Sequence, residues 1–276
     1  MSQSRVVVIG NEKGGAGKST IAIHLAVGLA QAGGRVAVID LDLRQKSFGR
    51  FLANRAAWLA NAGAEAPSPV DYDLGIETAE VGRLDPAEAM KRFEDAFGRA
   101  RHEADYVIVD TPGGDTPLSR AAHAGADLIV TPMNDSFVDF DLLGQVDPVS
   151  LDLLKPSIYS ETVWDSRKLK AAREGKMLDW VVLTNRLAVA EARNRKRVDE
   201  RIAALSRRVG FRVAPGLRDR VIYRELFPFG LTVADLSTQI RPVSVSLAHV
   251  AARQELRSLM WSLNLGAEAE AAAPAA

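Results

Sequence analysis

Gly10-Asn-Glu-Lys13-Gly-Gly-Ala-Gly-Lys18-Ser-Thr20 is the stretch of sequence that decides the fold. It follows the apolar run Val6–Ile9 and precedes a helical pattern that begins near Ile21. A strand, a glycine-rich loop and a helix in this order form a phosphate-binding unit, because backbone amides point into one concavity at the positive end of the helix. A glycine-rich turn without a ligand is the alternative interpretation.

Individual positions of this loop predict a nucleotide site with a magnesium ion. Lys18 is placed to reach the β- and γ-phosphates, Ser19 to bind Mg²⁺ through its hydroxyl, and Thr20 to support the α-phosphate. The pattern GxxxxGK[ST] is not met, because Glu12 stands at its first glycine, but the variant KGGxGK[ST] fits and adds a second lysine, Lys13. The residues expected to contact the nucleotide are Gly14, Gly15, Ala16, Gly17, Lys18, Ser19 and Thr20.

Apolar runs rich in β-branched residues recur along the chain and alternate with amphipathic helical patterns. This alternation is typical of βαβ units, so we expect an α/β fold, a doubly wound and mostly parallel sheet with helices on both faces. The further predicted strands are Val36–Ile39, Tyr106–Val109, Leu128–Val130, Trp180–Leu183 and Phe211–Val213. The predicted helices include Ile21–Gln31, Pro86–Glu103 and Val198–Val209.

The domain organisation is predicted to be simple. A single domain is expected over residues 1–265, with a helical insertion at about 144–178, where prolines and a charged segment interrupt the alternation. The Ala-, Pro-, Gly- and Asp-rich stretch Ala60–Gly75 indicates a surface excursion. Residues 266–276 contain only Gly, Ala, Glu and Pro, and we expect this tail to be disordered.

Carboxylates follow two of the predicted strands. Asp40 and Asp42 come after Val36–Ile39, and Asp110 ends the strand that begins at Tyr106 and is followed by Thr-Pro-Gly113-Gly-Asp115. A carboxylate at the carboxyl end of a buried strand can hold Mg²⁺ through water, so Asp40 and Asp110 join Ser19 as metal candidates. Gly113 can bring an amide near the γ-phosphate. Ordinary turn or N-cap carboxylates are the alternative.

With these motifs the chain resembles the ParA/MinD family of P-loop ATPases. The resemblance implies ATP and Mg²⁺ as ligands, an ATP-bound homodimer in which Lys13 contacts the partner's nucleotide, and Asp42 as the residue that orients the attacking water. It also implies that loops after two later strands hold adenine, through Asn185, Pro215 and Asp219. A solvated loop lysine at Lys13 and a turn-forming Asn185 remain open as alternatives.

Later stretches are more specific and resemble the branch of this family that positions the division plane in α-proteobacteria. They are Asp110–Asp115, Thr131–Asp141, Glu191–Arg197 and Pro215–Gly230. The resemblance implies nonspecific DNA binding by the dimer, interaction with ParB and inhibition of FtsZ assembly. A ParA-like chromosome or plasmid partitioning ATPase is the main alternative. A biosynthetic or transport enzyme on the same scaffold and a scaffold that binds nucleotide without hydrolysis are the others.

A basic stretch supports DNA binding independently of the resemblance. Ala192–Arg224 holds 11 basic and three acidic residues, a net charge of +8, in a chain whose 35 basic and 35 acidic residues cancel. Its helical pattern separates an apolar stripe from a basic side, which is the electrostatic footprint of a phosphate-binding surface. A solvated charged face is the alternative. The candidate DNA contacts are Arg193, Arg195, Lys196, Arg197, Arg201, Arg208 and Arg218.

The composition narrows the cellular setting. The chain has no cysteine, which excludes thiol catalysis and thiolate-held iron–sulfur clusters and suits a reducing compartment. Its N-terminus lacks the pattern of a signal peptide. The amphipathic stretch Ser246–Leu263 is expected to be a core helix and not a membrane anchor. We therefore expect a cytoplasmic protein without membrane contact, and the resemblance adds association with the nucleoid.

Overall fold

The computed structural model describes residues 4–134, 142–147, 153–184, 200, 202–235, 240, 242 and 245–266. Seven strands form one sheet in the order β3-β2-β4-β1-β5-β8-β9, and each pairing between neighbours is parallel. The strands of this sheet are β1 Arg5–Ile9, β2 Val36–Asp40, β3 Val70–Asp71, β4 Tyr106–Asp110, β5 Leu128–Met133, β8 Asp179–Thr184 and β9 Arg212–Pro215. Two further strands, β6 Gly144–Val146 and β7 Leu153–Pro156, form an antiparallel hairpin.

Helices connect the parallel strands and cover the sheet. The α-helices of the described residues include α1 Lys18–Gln31, α2 Ser47–Ala62, α3 Pro86–Glu103, α4 Pro117–Gly125, α5 Ile158–Glu174, α6 Val221–Leu226 and α7 Leu247–Ser262. Short helical turns lie at Thr78–Glu80, Phe227–Phe229 and Val233–Asp235, and residues 202–205 continue into a π-helical turn at Ser206–Gly210. Among the described residues, no helix is both long enough and apolar enough to cross a bilayer.

Two apolar cores lie on opposite faces of the sheet. Side chains alternate along β1, so that Val6 and Val8 enter the core shared with α3, α4 and α5, whereas Val7 and Ile9 enter the core shared with α1, α2 and α7. The central strands are buried on both faces, which explains their continuous apolar runs. This arrangement confirms the predicted doubly wound α/β fold.

The predicted strands are close to the observed ones, but two segments differ from expectation. The stretch Ala60–Gly75, interpreted as a surface excursion, returns to the sheet and adds the edge strand β3, which pairs with β2. The segment at 144–178, interpreted as a helical insertion, begins with the hairpin of β6 and β7 and contains one helix, α5. Since α5 lies between the parallel strands β5 and β8, it is the crossover helix that such a pair requires. Except for Gly266, the predicted tail lies outside the described residues.

A buried ion pair joins α2 to the C-terminal part of the chain. Arg55 and Asp235 form two hydrogen bonds of 2.8 and 3.0 Å, and both side chains are almost completely buried. Arg55 also donates to the carbonyl oxygens of Gly230 and Pro67, so its guanidinium is well satisfied. Gly230 has a φ of +59°, and a Cβ there would lie 2.0 Å from the backbone nitrogen of Arg55. Only glycine therefore fits at this position, where the chain passes the backbone of Arg55.

Candidate functional site

The phosphate loop connects β1, in the middle of the sheet, to the first turn of α1. Gly17 precedes α1 with a φ of +87°, and Gly15 has a φ of +75°. Side chains are strained at such angles, so these two glycines are required by the backbone. The loop lies at the carboxyl edge of the sheet, where open α/β folds bind their ligands. The predicted strand, loop and helix are therefore in place.

The start of the loop is held by an asparagine that the sequence analysis did not single out. Asn11 donates through Nδ2 to the carbonyl oxygen of Pro132 at 2.6 Å, and its Oδ1 accepts from the Lys13 amide at 2.7 Å. The first contact ties the loop to β5 and the second closes a turn before the glycines. An asparagine side chain often accepts from the backbone amide two residues further on and so forms a turn. The sequence could therefore have indicated the contact between Asn11 and the Lys13 amide.

Lys18 lies folded across the loop. Its Nζ donates to the backbone carbonyl of Lys13 at 2.8 Å, and the residue is 7% exposed. Burial lowers the pKa of Lys18, whereas the nearby carboxylates of Asp110 and Asp42 raise it. The ammonium group thus lies inside the loop, under the electrostatic influence of two carboxylates. Lys13 is half-buried on the same loop.

Asp110 lies at the centre of the site. It is opposite Ile9 of β1 and opposite Asp40 of β2 in the sheet register. The residue is fully buried, and neither carboxylate oxygen accepts a hydrogen bond from the backbone. Burial raises the pKa of Asp110 to about 8, and Asp40 adds to the increase, although Ser19 and Lys18 lower it. A buried carboxylate without backbone donors is costly unless a ligand uses it.

Asp40 is engaged by the backbone of its own loop. Its two carboxylate oxygens accept from the amides of Asp42 and Phe48, each at 2.9 Å, so it shapes the turn and caps the start of α2. Burial raises its pKa to about 6, although these two amides lower it. Asp40 therefore makes the turn and capping contacts that were the alternative to binding Mg²⁺. Asp42 is half-buried, and its Oδ1 accepts from the Gln45 amide at 3.1 Å.

The segment after Asp110 passes beneath the phosphate loop. Thr111 donates through both its amide and its hydroxyl to the carbonyl oxygen of Ile9, at 3.2 and 2.9 Å. Gly113 lies against Gly14, since a Cβ on Gly113 would be 3.2 Å from the Gly14 nitrogen. The backbone of this segment and the phosphate loop are therefore in close contact.

The predicted adenine loops are described only in part. Asn185 lies outside the described residues. Pro215 ends β9, and the next amide, that of Gly216, donates to the carbonyl oxygen of Thr184 at 3.1 Å, which places this loop at the carboxyl edge of the sheet. Asp219 lies in the same loop and forms an ion pair of 3.8 Å with Arg224.

The basic stretch is less positive than its residue count indicates. Arg212 pairs with Asp179, and Arg220 pairs with Glu255 at 2.6 Å, while Arg218 lies 3.5 Å from the same glutamate. These carboxylates come from outside the stretch, which is why counting within it missed them. Arg208 is exposed while its neighbours in the apolar stripe are buried. The other candidate DNA contacts, Arg193, Arg195, Lys196, Arg197 and Arg201, lie outside the described residues.

Comparisons with known proteins identify the family of this chain. A family model described as ATPase MipZ matches residues 5–267. The chromosome partitioning protein ParA of Myxococcus xanthus is 29% identical over 189 residues, which are 59% of this chain and 66% of that protein. An iron–sulfur cluster carrier protein of Deinococcus radiodurans is 31% identical over 153 residues, 49% of this chain and 42% of that protein. The chain thus spans less than two thirds of the length of these curated relatives.

A solved structure shares the fold over the whole chain. The complex of a McdA variant with ATP from Cyanothece has a TM-score of 0.60 at 16% identity, and the alignment covers 100% of both chains. Identity at this level shows the fold alone. The family model is the stronger finding because it matches the sequence itself, over residues 5–267. On that match the chain belongs to the MipZ family of ATPases, within the ParA/MinD group.

Proposed function

We propose that this protein is a nucleotide-operated switch that dimerises around ATP, binds DNA without sequence preference and positions the division site by inhibiting FtsZ assembly. The observation that carries the nucleotide part is the contrast inside one site between Lys18, whose ammonium group is held by a loop carbonyl, and Asp110, whose buried oxygens have no backbone donor. Such a site is complete only when a phosphate and a cation enter it.

The donor set fits Mg²⁺ held together with a nucleotide. Among the described residues no group of three or more His, Cys, Asp or Glu side chains could hold a metal ion by itself. Mg²⁺ does not need one, because it keeps several waters and takes one or two protein ligands beside phosphate oxygens. We assign the Ser19 hydroxyl and the Asp110 carboxylate to it, with Asp40 shaping the adjoining loop. The bound ion would neutralise charge on the phosphates.

Three side chains then act on the phosphates. Lys18 exchanges its contact with the Lys13 carbonyl for the β- and γ-phosphate oxygens. Asp42, which begins the turn to Gln45, orients the water that attacks the γ-phosphate. Lys13 reaches the nucleotide of a second copy of the chain, which makes ATP part of the dimer interface.

Three variants test these assignments. Lys18→Ala is expected to lose nucleotide binding in calorimetry without unfolding. Asp42→Ala is expected to bind ATP and accumulate as a dimer without hydrolysis, whereas Lys13→Ala stays monomeric with ATP. Light scattering that finds a normal ATP-dependent dimer for Lys13→Ala contradicts the contact across the interface, and undiminished ATP affinity in Lys18→Ala contradicts the nucleotide site.

The proposal includes nonspecific DNA binding by the dimer. Two basic surfaces joined in one dimer act at high effective concentration, so ATP increases affinity without reshaping either surface. The test is a salt titration on two unrelated duplexes with Asp42→Ala protein. Arg197→Ala and Arg201→Ala are each expected to weaken binding on both duplexes and to lower the salt slope by about one unit.

Arg212→Ala is the matched control for these variants. Arg212 belongs to the same basic stretch but is paired with Asp179, so its loss is expected to change the salt slope less. A preference for one duplex, or unchanged binding in the Arg197→Ala/Arg201→Ala double variant, refutes the proposed DNA surface.

Division positioning and chromosome partitioning are the two cellular roles to be separated. The family match favours positioning, with ParB and FtsZ as partners in the cytoplasm at the nucleoid, whereas the ParA relative favours partitioning. An iron–sulfur carrier is disfavoured because the chain has no cysteine to hold a cluster. The deciding experiment measures assembly of purified FtsZ with the protein, with and without ATP. Inhibition that requires ATP supports positioning, and FtsZ assembly unaffected by the protein supports partitioning.

A further inference from the structure

A chain of buried hydrogen bonds ends at the first residue of the phosphate loop. Trp180 donates through Nε1 to the Thr131 hydroxyl at 3.0 Å, Thr131 lies 2.8 Å from the Tyr159 hydroxyl, and Tyr159 contacts the Gly10 carbonyl oxygen at 2.8 Å. The three side chains come from β8, β5 and α5, and each is at most 3% exposed. Elements far apart in sequence therefore meet at Gly10.

The direction of this chain is set by its two ends. The indole nitrogen of Trp180 can only donate and the carbonyl of Gly10 can only accept. Thr131 must then accept from Trp180 and donate to Tyr159, which donates to Gly10. Burial raises the pKa of Tyr159, so its hydroxyl keeps the proton that it donates. Each hydroxyl has one acceptable orientation, which gives the Gly10 carbonyl a fixed donor.

Gly10 is closely packed among the described residues. Its amide donates to the carbonyl oxygen of Val130 at 3.0 Å. A Cβ at this position would lie 2.4 Å from Nε2 of His123 and 2.9 Å from the Tyr159 oxygen. With the contact of Asn11 to Pro132, three consecutive residues of β5 thus take part in holding the start of the loop.

We propose that Tyr159 is a positioning residue for the phosphate loop, acting through the Gly10 carbonyl and oriented by Thr131 and Trp180. The loop beyond Lys13 contains three glycines and has many accessible conformations, so its direction on leaving β1 must be fixed before a phosphate arrives. Tyr159 supplies that restraint from α5, through its contact with the Gly10 carbonyl. The inference rests on the proposed nucleotide function of the loop.

The test compares variants by two readouts, affinity for a fluorescent ATP analogue and thermal unfolding. Tyr159→Phe removes only the hydroxyl and is expected to weaken nucleotide affinity about five- to tenfold, the equivalent of one hydrogen bond. Thr131→Val is expected to weaken affinity in the same direction, whereas Thr131→Ser keeps the hydroxyl and restores it.

Two controls separate positioning from general destabilisation. Tyr72→Phe removes a tyrosine hydroxyl that donates to Glu103 at 2.6 Å, away from the loop. Val163→Ala weakens the packing of α5 itself, where Val163 is fully buried. Both are expected to lower the unfolding temperature and leave nucleotide affinity unchanged.

The outcomes are distinguishable. Nucleotide affinity that falls in Tyr159→Phe but not in the two controls supports the inference. Unchanged affinity in Tyr159→Phe, or affinity that tracks unfolding temperature across all variants, overturns it and leaves the proposed function intact. Wild-type protein that does not bind the analogue overturns the proposed function, and the inference with it.

Discussion

Asp40 and Asp110 end neighbouring strands and face each other in the sheet register, yet the protein uses their carboxylates in opposite ways. Both oxygens of Asp40 accept from backbone amides, whereas neither oxygen of the buried Asp110 does. Burial raises both pKa values, to about 6 for Asp40 and to about 8 for Asp110. The larger increase belongs to the carboxylate that no amide stabilises.

The difference arises from the path of the chain after each strand. After Asp40 the chain turns back and starts α2 at Ser47, which brings the Phe48 amide to the carboxylate. After Asp110 the chain continues beneath the phosphate loop, and the Thr111 amide is used by the Ile9 carbonyl. A carboxylate at a strand end therefore becomes part of the loop or stays available to a ligand according to where the next amides point.

The largest effect is expected from removing the charge of Asp110. Asp110→Asn keeps the size of the side chain but loses the carboxylate assigned to Mg²⁺, so ATP hydrolysis is expected to fall by about 100-fold while the ligand-free protein stays folded. Phosphate release and thermal unfolding measure the two quantities. Wild-type hydrolysis in this variant would contradict the assignment.

Asp40→Ala is expected to affect mainly the stability of the protein. It leaves the amides of Asp42 and Phe48 without their acceptor and removes the cap of α2, so the free energy of unfolding should fall by about 2 kcal/mol. Urea denaturation measures this loss. Asp40→Asn, which retains one acceptor oxygen, serves as the control and should lose less. A stability loss smaller in Asp40→Ala than in Asp110→Asn would reverse the comparison.

The smallest change, taken per pH unit, is expected in the dependence of stability on pH. A carboxyl group whose pKa is raised on folding stabilises the folded state at low pH, and this stability is lost as pH rises through the folded value. Ligand-free wild-type protein should therefore lose stability between about pH 4 and pH 8, and Asp110→Asn should lose about 1 kcal/mol less per pH unit.

Urea titrations at several pH values, without Mg²⁺ or nucleotide, test this dependence. Asp165→Asn is the matched control, since Asp165 is an exposed carboxylate whose pair with Lys168 lies at the surface. It should behave like the wild type. Parallel pH profiles for Asp110→Asn and the wild type would show that Asp110 is not the group responsible.

Local patterns predicted most of the sheet and the phosphate loop. Runs such as Val36–Ile39 have the β-branched, apolar composition of strands buried on both faces. The glycines of the loop indicate backbone conformations with positive φ, which other residues adopt only with strain. The edge strand β3 has two exposed residues and no apolar run, so only its pairing with β2 identifies it. Short edge strands carry little sequence signal because they bury little.

Long-range contacts account for the parts of the site that could not be predicted. Tyr159 lies 149 residues from Gly10, and no spacing rule connects a tyrosine in a crossover helix to a loop carbonyl. The carboxylates that pair with Arg212 and Arg220 likewise lie 33 and 35 residues away. Predicting such contacts requires the sheet order, which fixes which loops and helices become neighbours.

The ion pair between Arg55 and Asp235 has a consequence for the order in which the protein is made. The two residues are 180 positions apart, so Arg55 is synthesised long before its carboxylate exists. A buried guanidinium without its partner costs about 3–5 kcal/mol, which opposes docking of α2 in its final place. The loop between β2 and α2, which Asp40 holds through the amides of Asp42 and Phe48, can therefore reach its final form only after residues 230–235 have been added. A nascent chain that ends before this point should remain incompetent for the proposed switch, although the sequence of its phosphate loop is already complete.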